Sequence, residues 1–166
     1  VDRPGVFKVG VPTLSGSGAE ASRTAVLMGP DRKFGINSDH SMFNAVVLDS
    51  SLIGGVPADQ RFHSGMDCYI HCVESLQGTM INELARSYAA QGLDLITRVF
   101  LDDGTDDELM AASFLGGVSI VNSEVGLCHA LSYGLSMELG FRHGLANCVV
   151  FNALDEYYGE WVGRFR

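Results

Sequence analysis

No run of lysine or arginine occurs in the 166 residues, and bases are outnumbered: eleven Lys and Arg against twenty Asp and Glu leave a formal charge of −9. Such a chain has little with which to attract a phosphate backbone or an anionic membrane surface, which argues against nucleic acid and membrane as main partners. It also lacks any apolar run of ~18 residues, the least that a membrane-spanning helix needs. Proline is scarce, at four residues, and no internal repeat or low-complexity segment is visible. The four cysteines, Cys68, Cys72, Cys128 and Cys148, form no C-x-x-C pair and sit among apolar neighbours. They read as buried, reduced thiols of a cytoplasmic protein rather than as disulfides or a zinc cluster. The first residue is valine, not methionine, and no signal peptide is expected. The chain opens in the loop-like VDRPG and is expected to be a piece of a longer protein.

What is present is a globular composition, 46% hydrophobic with 20 glycines, long enough for one domain or at most two. Two hydrophobic periods divide it. From 6 to 55 the runs VFKVGVPTL, TAVLMG and NAVVLDSSLI are short and rich in Val and Leu, separated by the turn-forming GSG, GPDRK and NSDH. From Pro57 the pattern becomes helical. The first helix runs through ADQRFHSGMDCYIHCVESLQ to Gly78, and a second over about 80–101 carries Ile81, Leu84, Tyr88, Leu95 and Val99 near the 3.6 period. Thr105 and Glu108 form a T-x-x-E capping box for a third, in which Gly116 and Gly117 imply close packing against a neighbour. Further helices follow at about 126–138 and from about 144. The fold class is therefore α/β followed by all-α, with residues 1–56 the end of an α/β domain and 57–166 an all-α domain.

In GMDCYIHCVES, Asp67 and His71 stand one helical turn apart, so a carboxylate and an imidazole share a face inside an otherwise apolar or small-residue segment. Alone, the pair reads as a carboxylate–histidine hydrogen bond or an exposed pair. His129 in GLCHALSYGLS and His143 in ELGFRHGLAN change that, because a helix–turn–helix around Gly140 can carry both rings to the same point. One carboxylate and three imidazoles make a ligand set for a divalent metal with an open position. In VPTLSGSGAEAS, small residues after a strand allow backbone N–H groups to approach a phosphate, although the stretch lacks the G-x-G-x-x-G fingerprint.

These stretches together resemble the iron-containing (group III) alcohol dehydrogenases, which share the dehydroquinate-synthase-like fold. PTLSGSGAE resembles the family's PTTxGTGSE cofactor loop and RKFGINSD its lysine segment. SGMDCYIHCVE is similar to the GMDxxxHxxE metal helix, and HALSYG…FRHGLAN to the HALxHxxG…PHGxxN pair. The resemblance implies Asp67, His71, His129 and His143 as metal ligands, with Fe(II) the ion and Zn(II) able to bind. It implies Thr13, Leu14, Ser22 and Lys33 as contacts of NAD or NADP, and Leu52 beside the adenine. It further implies hydride transfer between a primary alcohol or aldehyde and nicotinamide, in a cytoplasmic homodimer. NSDHSMFNAVVLDSSL, FHSGMDCYIHCVESL and SYGLSMELGFRHGLANCVV look most like the branch that oxidises the terminal hydroxyl of Kdo, an acidic eight-carbon sugar.

Three departures bear on that reading. Leu14 replaces a threonine and loses a hydroxyl contact, and Tyr133 stands where the family has another histidine, on the substrate side. The family's upstream half-domain with its pyrophosphate-binding glycines, and the end of its helical domain, have no counterpart in these residues, so both domains are expected to be partial. The 166-residue piece alone is accordingly expected to bind dinucleotide no tighter than ~1 mM. Two rival readings are an all-α metal-dependent phosphohydrolase, which leaves the strand-rich first third unexplained, and a non-catalytic helical interaction domain.

Overall fold

The computed structural model describes residues 5–31 and 33–166. Its strand-rich part is small. β1 (Val9–Gly10) pairs in parallel with β4 (Ala45–Val46), and β2 (Thr24–Met28) forms an antiparallel hairpin with β3 (Lys33–Asn37), Val26 opposite Gly35. Two of the three expected strand runs are thus mostly not strand. KFGIN, adjoining stretches read as turns, is the partner that TAVLM requires. The SSL of the third run is a 3-10 turn, because the Asp49 side chain accepts hydrogen bonds from the Ser51 amide at 3.1 Å and hydroxyl at 2.6 Å.

Helix begins where proline fixes the backbone. Pro57 precedes α1 (Ala58–Gln77), whose residues from Ser64 to Ser75 are all buried. That unbroken burial places α1 at the centre of the molecule, with α2 (Glu83–Leu101), α3 (Asp106–Val121), α4 (Leu127–Glu138) and α5 (His143–Ala153) packed on it. The short α6 (Asp155–Tyr158) and α7 (Glu160–Gly163) close the far side. Tyr69, Ile70 and Val73 of α1 meet Ile96 of α2, Leu109 of α3 and Phe151 of α5 in one core. Burying each such side chain contributes roughly 1.5–3 kcal/mol. Cys68, Cys72 and Cys128 are buried, Cys148 partly so, and all four are free thiols. Among the described residues no helix is long and apolar enough to cross a membrane.

The second helix differs from expectation in its start and in part of its face, although Val99 is buried and Leu95 packs on the core as expected. It starts at Glu83, where the Asn82 side chain accepts from the Ala85 amide at 2.8 Å. Its buried face is Ala85, Ala89, Gly92, Leu93, Ile96 and Val99, whereas Leu84 is 63% exposed. Small residues win the buried face because α2 lies close to its neighbours: a Cβ on Gly92 would sit 3.0 Å from the Cys72 sulfur. The third helix starts as expected. Thr105 Oγ1 accepts from the Glu108 amide at 3.2 Å, and Glu108 Oε2 accepts from the Thr105 amide at 2.9 Å. Thr105→Ala is expected to cost about 1 kcal/mol in urea unfolding, with an unchanged m-value.

The segment from 13 to 22 lies across α3. The Gly16 amide donates to Ser113 Oγ at 2.7 Å, and Gly18, at φ 59°, lays its backbone directly on Gly117. This contact joins the strand-rich part to the helices. It accounts for the glycine pair in α3, since Gly116 in turn faces the Cys68 and Cys72 sulfurs.

Candidate metal centre

Central α1 carries Asp67 and His71 into the interior, α4 brings His129 from its first turn, and α5 begins with His143. All three imidazoles turn Nε2 towards the same Asp67 oxygen, Oδ1. The distances are 3.1 Å from His129, 3.6 Å from His143 and 3.7 Å from His71. His71 and His129 stack with ring centroids 4.6 Å apart, and His143 is tilted against His129 at 5.4 Å. Asp67, His71 and His129 are buried, while the His143 side chain is 37% exposed and forms the open side.

The donor set fits a divalent ion. Two ligand atoms bound at ~2.0–2.1 Å in a tetrahedron lie about 3.4 Å apart. The three separations from Asp67 Oδ1 bracket that figure, and the ligand atoms of Asp67, His71 and His129 all lie within 4.8 Å of one another.

Electrostatics show the same crowding. Burial alone would depress His129, but hydrogen bonds and charge from Asp67 and Glu74 outweigh it and raise its pKa to about 9. His71 goes the other way, down to about 4, because burial and the neighbouring His129 and His143 outweigh Asp67. Burial pushes the Asp67 carboxyl upward, yet the three histidines hold it well below the ordinary carboxylate range. An anionic oxygen and a crowd of imidazoles that cannot all be protonated together suit a metal cation better than protons.

Two side chains that the sequence reading did not single out complete the cluster. Asn147 of α5 is fully buried, and its Nδ2 donates to Asp67 Oδ1 at 2.6 Å while lying 3.1 Å from His129 Nε2 and 3.3 Å from His143 Nε2. Glu74, three residues after His71 on α1, reaches His129 from the opposite side, 2.6 Å from Nδ1. Burial pushes its carboxyl upward, but His129, Tyr158 and the Gly126 amide outweigh it and bring its pKa to about 2. The closing glutamate of the GMDxxxHxxE pattern was the available signal for Glu74, as the asparagine of PHGxxN was for Asn147. The partners of Glu74 lie more than fifty residues away, and nothing local marks them.

The cluster forms one wall of a cavity of about 690 Å³ between the helices and the strand-rich part. His71, His129, His143 and Tyr133 face it from the helices, and Ser17, Ser22, Arg23 and Thr24 from the other side. Ser22 is therefore the one residue of the expected cofactor set among the lining residues described. Thr13 is exposed outside the lining, and Leu14 borders a separate small hollow with Ile53 and Val56. Leu52 lies on the 3-10 turn, 44% exposed and away from the cavity. Lys33 starts β3, and its side chain lies outside the described residues.

Comparison with known proteins agrees with this architecture. Residues 61–164 match the family model described as Fe-containing alcohol dehydrogenase family, C-terminal. The chain is 33% identical over 159 residues to the 4-hydroxybutyrate dehydrogenase of Cupriavidus necator, covering 88% of this chain and 41% of that one. Among solved structures, a 1,3-propanediol oxidoreductase superposes with a TM-score of 0.86 at 27% identity, over 98% of this chain and 48% of the other. The NAD+ complex of sulfoacetaldehyde reductase from Bifidobacterium kashiwanohense shares the fold, with a TM-score of 0.79 at 23% identity, over 89% and 42%. The chain thus spans less than half the length of each of these proteins. With its helical part matched almost end to end, the chain belongs to the Fe-containing alcohol dehydrogenase family.

Proposed function

We propose that Asp67, His71, His129 and His143 hold one divalent ion, Fe(II) with Zn(II) able to replace it, in a dehydrogenase acting on a primary alcohol or its aldehyde. The observation that carries this is the convergence of three imidazole nitrogens on one buried carboxylate oxygen at the wall of a large cavity. The bound ion supplies Lewis acidity, which lowers the pKa of an alcohol hydroxyl or polarises an aldehyde carbonyl. Asp67 contributes the only anionic ligand, and Asn147 keeps its oxygen aimed by donating to it. Residues 1–56 act as part of a nucleotide-binding α/β domain and 57–166 as part of the metal-binding helical domain. The 13–22 loop, anchored on α3, provides the wall along which NAD or NADP lies, with Ser22 facing the cavity and Thr13, Leu14, Lys33 and Leu52 further along the cofactor's course.

The substrate in this reading carries an acid group remote from its terminal hydroxyl, as a sugar acid such as Kdo does. Two of the related proteins are named for 4-hydroxybutyrate and sulfoacetaldehyde, both small anions. Arg23 is the only lysine or arginine among the described residues lining the cavity. NAD(P)H formation by the full-length, Fe(II)-loaded protein, compared between ω-hydroxy acids and neutral alcohols of equal length, tests this reading. Absence of activity on both, with metal and cofactor bound, would overturn it.

Tyr133 faces the cavity 6.1 Å from the His143 ring, centroid to centroid. Burial, with Asp67 and Glu74 adding, raises its phenol above the ordinary value, so it stays protonated at neutral pH. It acts as a donor towards substrate and not as a neutral-pH proton carrier. Tyr133→Phe is expected to raise KM severalfold, about 1 kcal/mol, and to leave the pH profile of kcat/KM in place. Loss of a limb near ~pH 6–7 in that variant would show the reverse.

A further inference from the structure

Glu74 is the most heavily bonded buried carboxylate among the described residues. Its Oε2 accepts from the Gly126 amide at 2.8 Å and lies 2.6 Å from His129 Nδ1. Its Oε1 accepts from the Cys128 amide and from the Tyr158 hydroxyl, both at 2.7 Å. Its side chain has no exposed surface. An ionised carboxylate offers about four lone-pair directions and no proton, so four donors satisfy it and no water is needed. The donors come from three places: the N-terminal end of α4, the imidazole of His129 on that same turn, and α6. Gly126 permits the approach, because a Cβ there would lie 2.9 Å from Oε1.

We infer that Glu74 is a positioning residue that holds a proton on His129 Nδ1 and so leaves Nε2, which faces Asp67 Oδ1, as the nitrogen that ligates the ion, and that ties this setting to the start of α4 and to Tyr158. The inference rests on the metal reading above. Its chemistry follows from acceptor geometry. With every other partner of Glu74 a donor, only a protonated Nδ1 can complete the set, and a neutral imidazole then presents a bare Nε2. Histidines that ligate metals commonly use a carboxylate in this way, and loss of the outer partner weakens metal binding by ~10–100-fold. Two backbone amides of the α4 N-terminus end on the same carboxylate, so the position of the His129 turn and its tautomer are set by one group.

Glu74→Gln keeps the shape but removes the charge and turns one acceptor oxygen into a donor. If the amide NH2 replaces Oε1, it faces the Cys128 N–H donor to donor. If it replaces Oε2, it faces the Gly126 N–H and drives the His129 proton to Nε2, where the ion must bind. Competition of the full-length protein against a chromophoric chelator for Zn(II) and Co(II) gives the expected result: Glu74→Gln binds both ions ~10–100-fold more weakly. Tyr158→Phe, which leaves the carboxylate in place, shows a smaller loss. The Co(II) visible bands, which report ligand geometry, change in Glu74→Gln. Should that variant fail to fold, nitrogen-15 spectra of Zn(II)-loaded wild type decide: a protonated His129 Nδ1 supports the assignment, and metal on Nδ1 overturns it. Glu74→Gln protein that folds and binds within twofold of wild type also overturns it. A wild type that takes up neither ion fails the metal reading itself.

Discussion

Removing the His143 imidazole is expected to strip the full-length protein of its metal while leaving it folded. Wild type should carry close to one equivalent of Fe or Zn by elemental analysis, and His143→Ala close to none. Losing a direct ligand should weaken binding by more than the ~100-fold upper figure for losing an outer partner. His143 is the cleanest ligand to delete because it is the most exposed of the four, at the first residue of α5. Truncation there opens no enclosed hole and strands no buried charge. Its unfolding midpoint without metal should therefore stay near wild type. His129→Ala should lose metal as completely but also cost stability, because Glu74 and Asp67 each lose a hydrogen-bonded partner in the interior. Asp67→Ala removes the oxygen that all three nitrogens face. Unchanged metal content in His129→Ala and His143→Ala together would remove the ligand assignment.

Legibility in the sequence tracked how local each determinant is. The limits of α1 could be read because Pro57 and Gly78 act on their own residues, and the Thr105–Glu108 box because its two bonds span three positions. Asp67 and His71 were visible as a pair because one helical turn sets their geometry. The face of α2 is legible only in part: Val99 is buried and Leu95 packs on the core, but Leu84 is exposed. Hydrophobic periodicity weighs Leu84, Tyr88 and Leu95 heavily, whereas a close helix contact selects Ala85, Ala89 and Gly92, which carry little hydrophobic weight. The β1–β4 pairing joins residues 36 apart in parallel, and no turn signal announces such a register. Glu74 and Asn147 stand at the E of GMDxxxHxxE and the N of PHGxxN, but their roles were not legible there. Glu74 meets His129 across 55 positions and Asn147 meets Asp67 across 80, so only the packing of α1, α4 and α5 reveals what they bond. The cofactor loop is the mixed case. Its glycines were legible as small residues, but what they touch is helix backbone, Ser64 of α1 at Gly16 and Gly117 of α3 at Gly18.

That contact makes opposite predictions for two helical glycines. Gly134, in α4, has nothing within 4 Å of where a Cβ would sit. Gly134→Ala should therefore stabilise the protein by roughly 0.5–1 kcal/mol, the propensity difference alone. Gly117, in α3, has the same intrinsic gain available, but its Cβ would meet the Gly18 carbonyl oxygen and, at 2.8 Å, the Gly18 Cα. Neither atom belongs to a side chain that can rotate away. Relief requires lifting the 13–22 loop off α3, and the Gly16 bond to Ser113 Oγ would stretch with it. Overpacking of this kind costs ~1–3 kcal/mol, which exceeds the propensity gain, so Gly117→Ala should be net destabilising and Gly117→Val more so. The displaced loop carries Ser17 and Ser22 away from the cavity wall. Gly117→Ala should consequently weaken NAD(P) binding in the full-length protein while metal content stays at wild-type level, a separation that general unfolding would not produce. Urea unfolding of both alanine variants, with calorimetric titration of cofactor, is the measurement. If Gly117→Ala and Gly134→Ala shift stability in the same direction, the glycine contact does not hold the loop on α3.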